Sequence, residues 1–482
     1  MKKILYKAIC IASLIGLTAC EKTFDELASN PNQQDVNGFY NTPQNINKGV
    51  IGIYAYITTP RAMGTAGRLQ INRGDESSDA SDYGVPGQYS ANLSSSWYTI
   101  VQPYALFYTA ASQACQMIEA IPNVNFSNQQ LKNAYLGEAY FLRAYTHWFL
   151  FLNFRNIPLM KELPKSAKDY KPQATPEEAW DFIISDLKRA KELLPEKGFW
   201  TGESVGRVTK GSAIALLGKA YLYRSGIEHY YGHSNTTYYN EAAAEFNELI
   251  LSGKYRLVAD YNDNFKVATE NNDESIFELQ FLGDVTNTGF NPGLSNSGVW
   301  RDPRGYLPPT NKNANSSVIH DWVYNTFVNS KDASGHTDPR MFGTLIFDDT
   351  KSEINARTGD EVRIFDNKTF REYYGAKGFG VAKAQAKKYK AACRKGIDWT
   401  LATRNPGDNF YMWNGRANGL NQTEIRYADV LLMYAEAVVK GGTQGSLTAL
   451  DAVNQVRARV GMPAVSTVDM DVIEHERILE LT

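Results

Sequence analysis

At 482 residues, with 43% hydrophobic and 21% charged side chains, the chain has the composition of a folded protein and enough length for two or three domains. Its formal charge of −2 offers no basic excess with which to neutralise phosphates, so nucleic acid is excluded as a partner on bulk electrostatics. Four cysteines are too few for a disulfide framework.

The chain opens on a basic Met1-Lys2-Lys3 followed by an apolar stretch, Ala8 to Thr18, that is too short to span a membrane. This stretch ends in Leu17-Thr18-Ala19-Cys20, which resembles a bacterial lipobox, in which the cysteine is acylated and becomes the new N-terminus. Residues 1–19 are therefore expected to be a lipoprotein signal peptide, with Cys20 carrying a lipid anchor. Loss of Lys2, Lys3 and Lys7 with that leader would take the formal charge from −2 to −5. Cys10 leaves with it too, and whether Cys115 and Cys393 pair is open.

A polar tether, Glu21 to Asn37, precedes the first helix signal. Thr42-Pro43 reads as an N-cap followed by proline at the first helical position, and Ile46, Val50, Ile53 and Ile57 fall on one face. From Arg61 to Ser96 periodicity is lost to Gly, Ser, Asp and Tyr, which predicts a long loop of a kind that often carries function. Helices are predicted from about Pro103 to Ile121, from Leu131 to Phe154 and from Pro176 to Leu194. The last is announced by Thr175 with Glu178 at the capping-box position. Phe141 to Phe154 is very apolar, but Arg143, His147 and its length favour a buried core helix over a membrane span.

Thr209 to Gly226 is predicted to be a helix with Ile214, Leu217, Tyr221 and Leu222 on one face and the small Gly218 and Ala220 beside them. Tyr239 to Tyr255 reads as its partner, with Ala242 and Phe246 four apart. Leu-Gly-x-x-Tyr on one helix and Ala-x-x-x-Phe on the next is the tetratricopeptide pattern, with an insertion of about Gly226 to Tyr238 looping out. Leu136-Gly137-Glu138-Ala139-Tyr140 repeats Leu217-Gly218-Lys219-Ala220-Tyr221 except at its middle residue. Ile425 to Val439 and Leu447 to Val460 supply another pair. Each pair has an apolar face that only a neighbouring pair can cover, so a stack is implied.

The predicted fold is thus mostly α, a tetratricopeptide-like α–α superhelix over about 40–255 and 424–482. Between them, about 256–423, lies a loop-rich insertion with short strand-like runs at Ser275 to Phe281 and Thr344 to Phe347. It is expected to lie on the helices, making residues 20–482 one domain. Within Val318 to Val328, Trp322 sits at a core position and reads as packing. The sequence stops at Thr482 in a helical pattern without a stop signal.

These features together resemble the SusD/RagB family of surface glycan-capture lipoproteins. The resemblance is carried by the lipobox and Arg73-Gly74-Asp75-Glu76. It extends through Gly206-Arg207-Val208-Thr209-Lys210-Gly211, Arg426-Tyr427-Ala428-Asp429-Val430 and Glu474 to Leu481, and so covers essentially the whole chain. Cys115 stands where the family pattern has Asn. The resemblance implies four tetratricopeptide-like pairs, a ligand face made of loops and insertion, and a place as lid on a SusC-like TonB-dependent outer-membrane barrel. It also implies bound sugars held mainly by aromatic side chains, and an outer-membrane location, lipid-anchored and facing the cell exterior.

Sugar rings have apolar faces and polar rims, so their recognition needs aromatics outside the core with amide, carboxylate or guanidinium neighbours. Two loop clusters qualify: Asp82, Tyr83, Tyr89 and Trp97 in the first long loop, and Trp300, Arg301 and Tyr306 in the insertion. No catalytic residue, metal or cofactor is expected. Gly202-Glu203-Ser204-Val205-Gly206 fits Gly-x-Ser-x-Gly but follows a helix rather than a strand. His229-x-x-x-His233 lacks partner ligands, and Asp75, Glu76, Asp79 and Asp82 match no defined calcium loop. The leading functional expectation is a non-catalytic glycan-binding lipoprotein that delivers its ligand to the barrel. The alternatives are a tetratricopeptide protein scaffold, an oligopeptide-capturing lid, and a surface glycan-degrading enzyme.

Overall fold

A computed structural model describes residues 36–59, 62–63, 75–79, 96, 98–164, 166, 169, 171–234, 236–281, 317–347, 390–395, 403–405, 408–411 and 419–482. After a single turn, α1 (Val36–Phe39), the helices α2 (Pro43–Ile57), α3 (Tyr98–Ala120), α4 (Gln129–Phe154), α5 (Pro176–Leu193), α6 (Lys210–Tyr230) and α7 (Tyr239–Leu251) follow in order. Each packs on the next, and α7 packs on α10 (Tyr427–Val439), which is covered by α11 (Ala449–Arg459) and α12 (Met470–Leu481). One continuous hydrophobic core runs from Ile46 to Ile473 through this stack. The mostly helical, tetratricopeptide-like architecture read from the sequence is what is found.

Local sequence explains the helix starts. The Thr42 hydroxyl accepts from the Asn45 amide ahead of Pro43, and Ile46, Val50, Ile53 and Ile57 are all buried. At α5 the capping box is complete: Thr175 Oγ1 accepts from the Glu178 amide, and the Glu178 carboxylate accepts from the Thr175 amide at 2.8 Å. These contacts satisfy amides that the helix itself leaves without partners.

The small residue of each Leu-Gly-x-x-Tyr motif marks where helices meet. A methyl group added at Gly218 would sit 2.6 Å from the Phe246 ring of α7, and one at Gly137 would sit 2.9 Å from Leu194 beyond α5. The middle residue, the one that differs between the two motifs, chooses a charged partner. Glu138 accepts from Arg207 Nε at 2.8 Å, whereas Lys219 faces Asp429 of α10 at 3.3 Å. Both glycines thus mark close approaches, against different partners, and the ion pair differs as well.

Several boundaries differ from the sequence reading. Helix α3 starts at Tyr98 and carries Pro103 inside it. Helix α7 stops at Leu251, short of Tyr255, because Gly253 turns the chain with a positive φ of 62°. Helix α6 runs through Gly226 to Tyr230, so the excursion before α7 is shorter than expected. Ile425 and Arg426 are not helical: they end strand β8 (Gln422–Arg426), which pairs antiparallel with β2 (Ser275–Leu279). Phe277 of β2 lies edge-on to Phe141 and Tyr145 of α4, with ring centroids 5.1 and 5.2 Å apart. This two-stranded ribbon is how the insertion grips the stack.

A second sheet has the order β1 (Ser77–Asp79), β3 (Ser317–Ile319), β5 (Ala391–Cys393), β4 (Leu345–Phe347). The long loop after α2 therefore contributes a strand. The short strands β6 (Thr403–Asn405) and β7 (Asp408–Tyr411) form a separate hairpin. Helix α8 (Asp321–Asn329) and the turn α9 (Arg340–Thr344) accompany the four-stranded sheet. A second core of Ile319, Val323, Phe327, Met341, Leu345, Ala391 and Leu479 lies under it.

Gly218→Ala is expected to lower unfolding free energy by about 1–3 kcal/mol, because the added carbon must displace the Phe246 ring in a filled core. Urea unfolding reads this, and an unchanged midpoint would show that the interlock is looser than drawn.

Candidate functional site

The sheet β1–β3–β5–β4 is fixed to the helical stack by a buried set of charges. Arg340 of α9, itself buried, donates to Asp338 (2.7 and 3.0 Å), to Glu476 (2.5 Å) and to Glu480 (2.9 Å), both of α12. Arg426, at the junction of β8 and α10, reaches Glu274 beside β2 at 2.7 Å and also Glu480. Arg459 of α11 joins Glu274 at 3.0 Å and Glu480, and Arg457 joins Glu476 at 2.7 Å. Burial alone would raise the Glu480 pKa, yet Arg459, Arg426 and Arg340 hold it far below the usual carboxylate range. Tyr261 donates to the Glu480 carbonyl, as does Lys395, whose ammonium burial pushes well below its ordinary pKa.

The residues of the Arg-Tyr-Ala-Asp-Val run therefore do structural work. Arg426 belongs to this cluster, and Asp429 meets Lys219 and Arg477 at 3.3 and 3.2 Å. Glu476-Arg477 and Glu480 of α12 supply the other half.

On this mount the two strands that lead to the aromatic segments lie side by side. β1 and β3 are antiparallel, with Ser77 opposite Ile319 and Asp79 opposite Ser317. The chain leaves β1 at Asp79 toward residues 80–97 and enters β3 at Ser317 from residues 282–316. The Glu76 carbonyl accepts from the His320 amide at 2.9 Å.

Trp322, expected to be a core residue, is instead 39% exposed. Helix α8 buries Val323 and Phe327, four apart, which turns the 322/326 stripe outward. Its indole Nε1 donates to the Asp75 carbonyl at 2.8 Å, so the ring is oriented by the Asp75-Glu76 turn while part of its surface stays open. Asp82, Tyr83, Tyr89, Trp97, Trp300, Arg301 and Tyr306, like Cys20, lie outside the described residues. The structure brings together the strands that flank these two clusters, and Trp322 bonds to Asp75 just ahead of β1.

The motifs set aside by sequence can now be located. Gly202–Ser204 is a 3₁₀ turn on the surface, not the sharp end of a strand. His147 is a satisfied core residue: its Nδ1 lies 2.8 Å from the Arg143 carbonyl, and its Nε2 accepts from the Met160 amide at 3.1 Å. Arg143 makes a two-pronged pair with Asp186 at 2.7 and 2.8 Å. Cys115 is a free thiol and so does not pair with Cys393. Cys115 Sγ contacts the Met160 carbonyl at 3.3 Å, so it supplies a helix–loop contact at the position where the family pattern has Asn.

Two family models divide the chain between them. One, described as "Starch-binding associating with outer membrane", matches residues 26–222, and the other, described as the SusD family, matches residues 273–482. The chain belongs to the SusD/RagB family. It is 25% identical to SusD-like protein P2 of Formosa agariphila, over 98% of this chain and 85% of that one. It is 23% identical to a SusD-like protein of Bacteroides ovatus, of which it spans 63%. A SusD homolog from Bacteroides thetaiotaomicron superposes with a TM-score of 0.71 at 22% identity, over 93% of this chain and 85% of that one. A laminarin binding SusD-like protein gives 0.64 at 22% identity, over 92% and 89%. In this SusD-family chain Arg426, Asp429, Glu476, Arg477 and Glu480, all within the motifs that carry the resemblance, take part in the ion pairs.

Two predictions follow from these contacts. Glu480→Gln should cost about 3–5 kcal/mol in urea unfolding, since three arginines lose a buried counter-charge; a loss under about 1 kcal/mol would show that the cluster is not a structural clamp. Burial holds His147 at a pKa of about 4, below the ordinary value of about 6.5. Its neutral form therefore stabilises the fold above pH 6.5, and that stabilisation is lost as pH falls from there toward 4. His147→Gln should be clearly less stable than the native chain at pH 7.5, with the gap narrowing by pH 4.5. Parallel stability curves would contradict this.

Proposed function

We propose that this chain is a non-catalytic, lipid-anchored protein of the outer membrane that faces the exterior, captures glycans and hands them to a SusC-like TonB-dependent barrel. Cys20 would hold the anchor, and residues 20–482 would act as one body. The observation that carries the reading is the pairing of Asp79 with Ser317. It gives the Tyr- and Trp-bearing segments 80–97 and 282–316 a common root on one rigid sheet, so Trp97, Tyr83, Tyr89 and Asp82 can share a face with Trp300, Arg301 and Tyr306. Trp322, oriented by Asp75, extends that face. A row of aromatic planes with carboxylate and guanidinium neighbours suits the apolar faces and hydroxyl rims of sugars. The starch-binding description of the family model and the laminarin-binding structural neighbour support a glycan rather than a protein as the ligand.

Calorimetry of the chain from Glu21 onward against laminarin, starch, xylan and mucin glycans, with product analysis of each mixture, tests the reading. Saturable binding without cleavage is expected for one class. In that complex Trp300→Ala should weaken affinity at least tenfold, the loss of an aromatic worth about 1.5 kcal/mol or more. Unchanged affinity in the folded variant would remove Trp300 from the site, and release of reducing ends would replace capture by catalysis.

A further inference from the structure

A second aromatic surface lies at the other end of α6. Tyr230 is 82% and Tyr231 58% exposed, an unusual state for two large rings in sequence. They are not loosely held. Tyr231 stacks on His233, with centroids 5.8 Å apart and planes 19° apart, and the Arg155 guanidinium sits 5.1 Å from the Tyr231 centroid. Tyr230 stands edge-on to Tyr231 at 82°, and its exposure leaves the ring largely open.

This arrangement is anchored from below. Arg155 ends α4 in a left-handed conformation, with φ of 58°, and donates to both oxygens of the buried Glu228 at 2.6 and 2.7 Å. The same carboxylate accepts from Trp180 Nε1 of α5 at 2.6 Å and lies 3.2 Å from His233 Nδ1. Burial opposes the charge on Glu228, but its bonds to Arg155 and Trp180 outweigh that and hold its pKa below the ordinary carboxylate value. Three helices thus converge on one saturated carboxylate whose role is to fix the rings above it. Next to the rings in sequence, His229, Gly232, His233, Thr236 and Thr237 are exposed and supply hydrogen-bonding groups, while Arg155 is already paired with Glu228.

We infer that Tyr230 and Tyr231 form a second carbohydrate platform, suited to polymeric rather than short glycans. Open aromatic faces with a polar rim, on a rigid base, fit the faces and hydroxyls of a polysaccharide. β2 and Tyr230 stand at opposite ends of α6. β2, after which segment 282–316 begins, takes a hydrogen bond from Ser212 in the first turn of α6, whereas Tyr230 closes its last turn. A helix of 21 residues is about 30 Å long. A chain that reaches both platforms gains avidity, whereas a tetrasaccharide cannot bridge them. This inference rests on the glycan-capture reading.

The test uses the chain from Glu21 onward in gels containing laminarin, starch, xylan or mucin glycans, together with calorimetry on a tetrasaccharide of whichever polymer retards it. Tyr230→Ala should weaken retardation by the polymer at least threefold, and Tyr230→Phe should leave it intact because the ring is kept. Tyr230→Ala should leave tetrasaccharide affinity unchanged, while Trp300→Ala lowers it. Native retardation by Tyr230→Ala, with Trp300→Ala still impaired, would overturn this inference alone. Equal loss of tetrasaccharide binding would place Tyr230 in the first site and overturn the second. Unchanged polymer binding with loss of a co-purifying protein would assign the surface to a protein partner instead. If no polymer retards the native chain, both readings fall.

Discussion

Glu480 is the point on which the architecture turns. Its carboxylate is buried and shared by Arg340 from beneath the sheet, Arg426 from the strand–helix junction and Arg459 from α11. Glu274, Asp338 and Glu476 complete a set in which each guanidinium has a carboxylate partner. Burying such charges is costly, and the cost is offset only when every one is paired with good geometry. That requirement locks β2, β8, α9, α11 and α12 into one mutual arrangement. It is a constraint of specificity: a displaced insertion would leave several buried charges without partners at once.

The functional consequence lies in what the lock positions. The four-stranded sheet is small and its strands are three residues long, too short to be stable alone. Leu479 of α12 belongs to its core, one residue before Glu480, so apolar packing and ion pairing act from the same turn of helix. The segments proposed for recognition, 80–97 and 282–316, thereby adjoin strands whose positions are fixed. In the helical repeats, close approaches at Gly137 and Gly218 and ion pairs at Glu138 and Lys219 fix how neighbouring elements meet.

Local signals were legible in the sequence. Caps at Thr42 and Thr175, the buried stripe from Ile46 to Ile57, and the small-against-large pairing of Gly218 with Phe246 all follow from nearest-neighbour chemistry and a 3.6-residue period. What sequence could not show is non-local. Nothing in the spacing of Glu274, Arg340, Arg426 and Glu480 says that they meet, since more than fifty residues separate each from the next. Ile425 and Arg426 were read as helix because a strand that runs straight into a helix leaves no turn signal. Trp322 was placed in the core because it neighbours Val323, although only the 323/327 stripe faces inward. Tyr230 and Tyr231 stood inside a stretch read as a loop, and their exposure depends on α6 continuing past Gly226. The aromatic segments themselves were legible by composition; their common root required the β1–β3 register.

Hydrogen–deuterium exchange of the chain from Glu21 onward, with and without a saturating glycan identified by calorimetry, tests the central claim most directly. The account predicts that ligand slows exchange in residues 80–97 and 282–316 together, with the α10 and α12 backbone equally protected in both states. Protection of only one of the two segments, or of neither at saturation, would contradict a shared ligand face mounted on the paired strands.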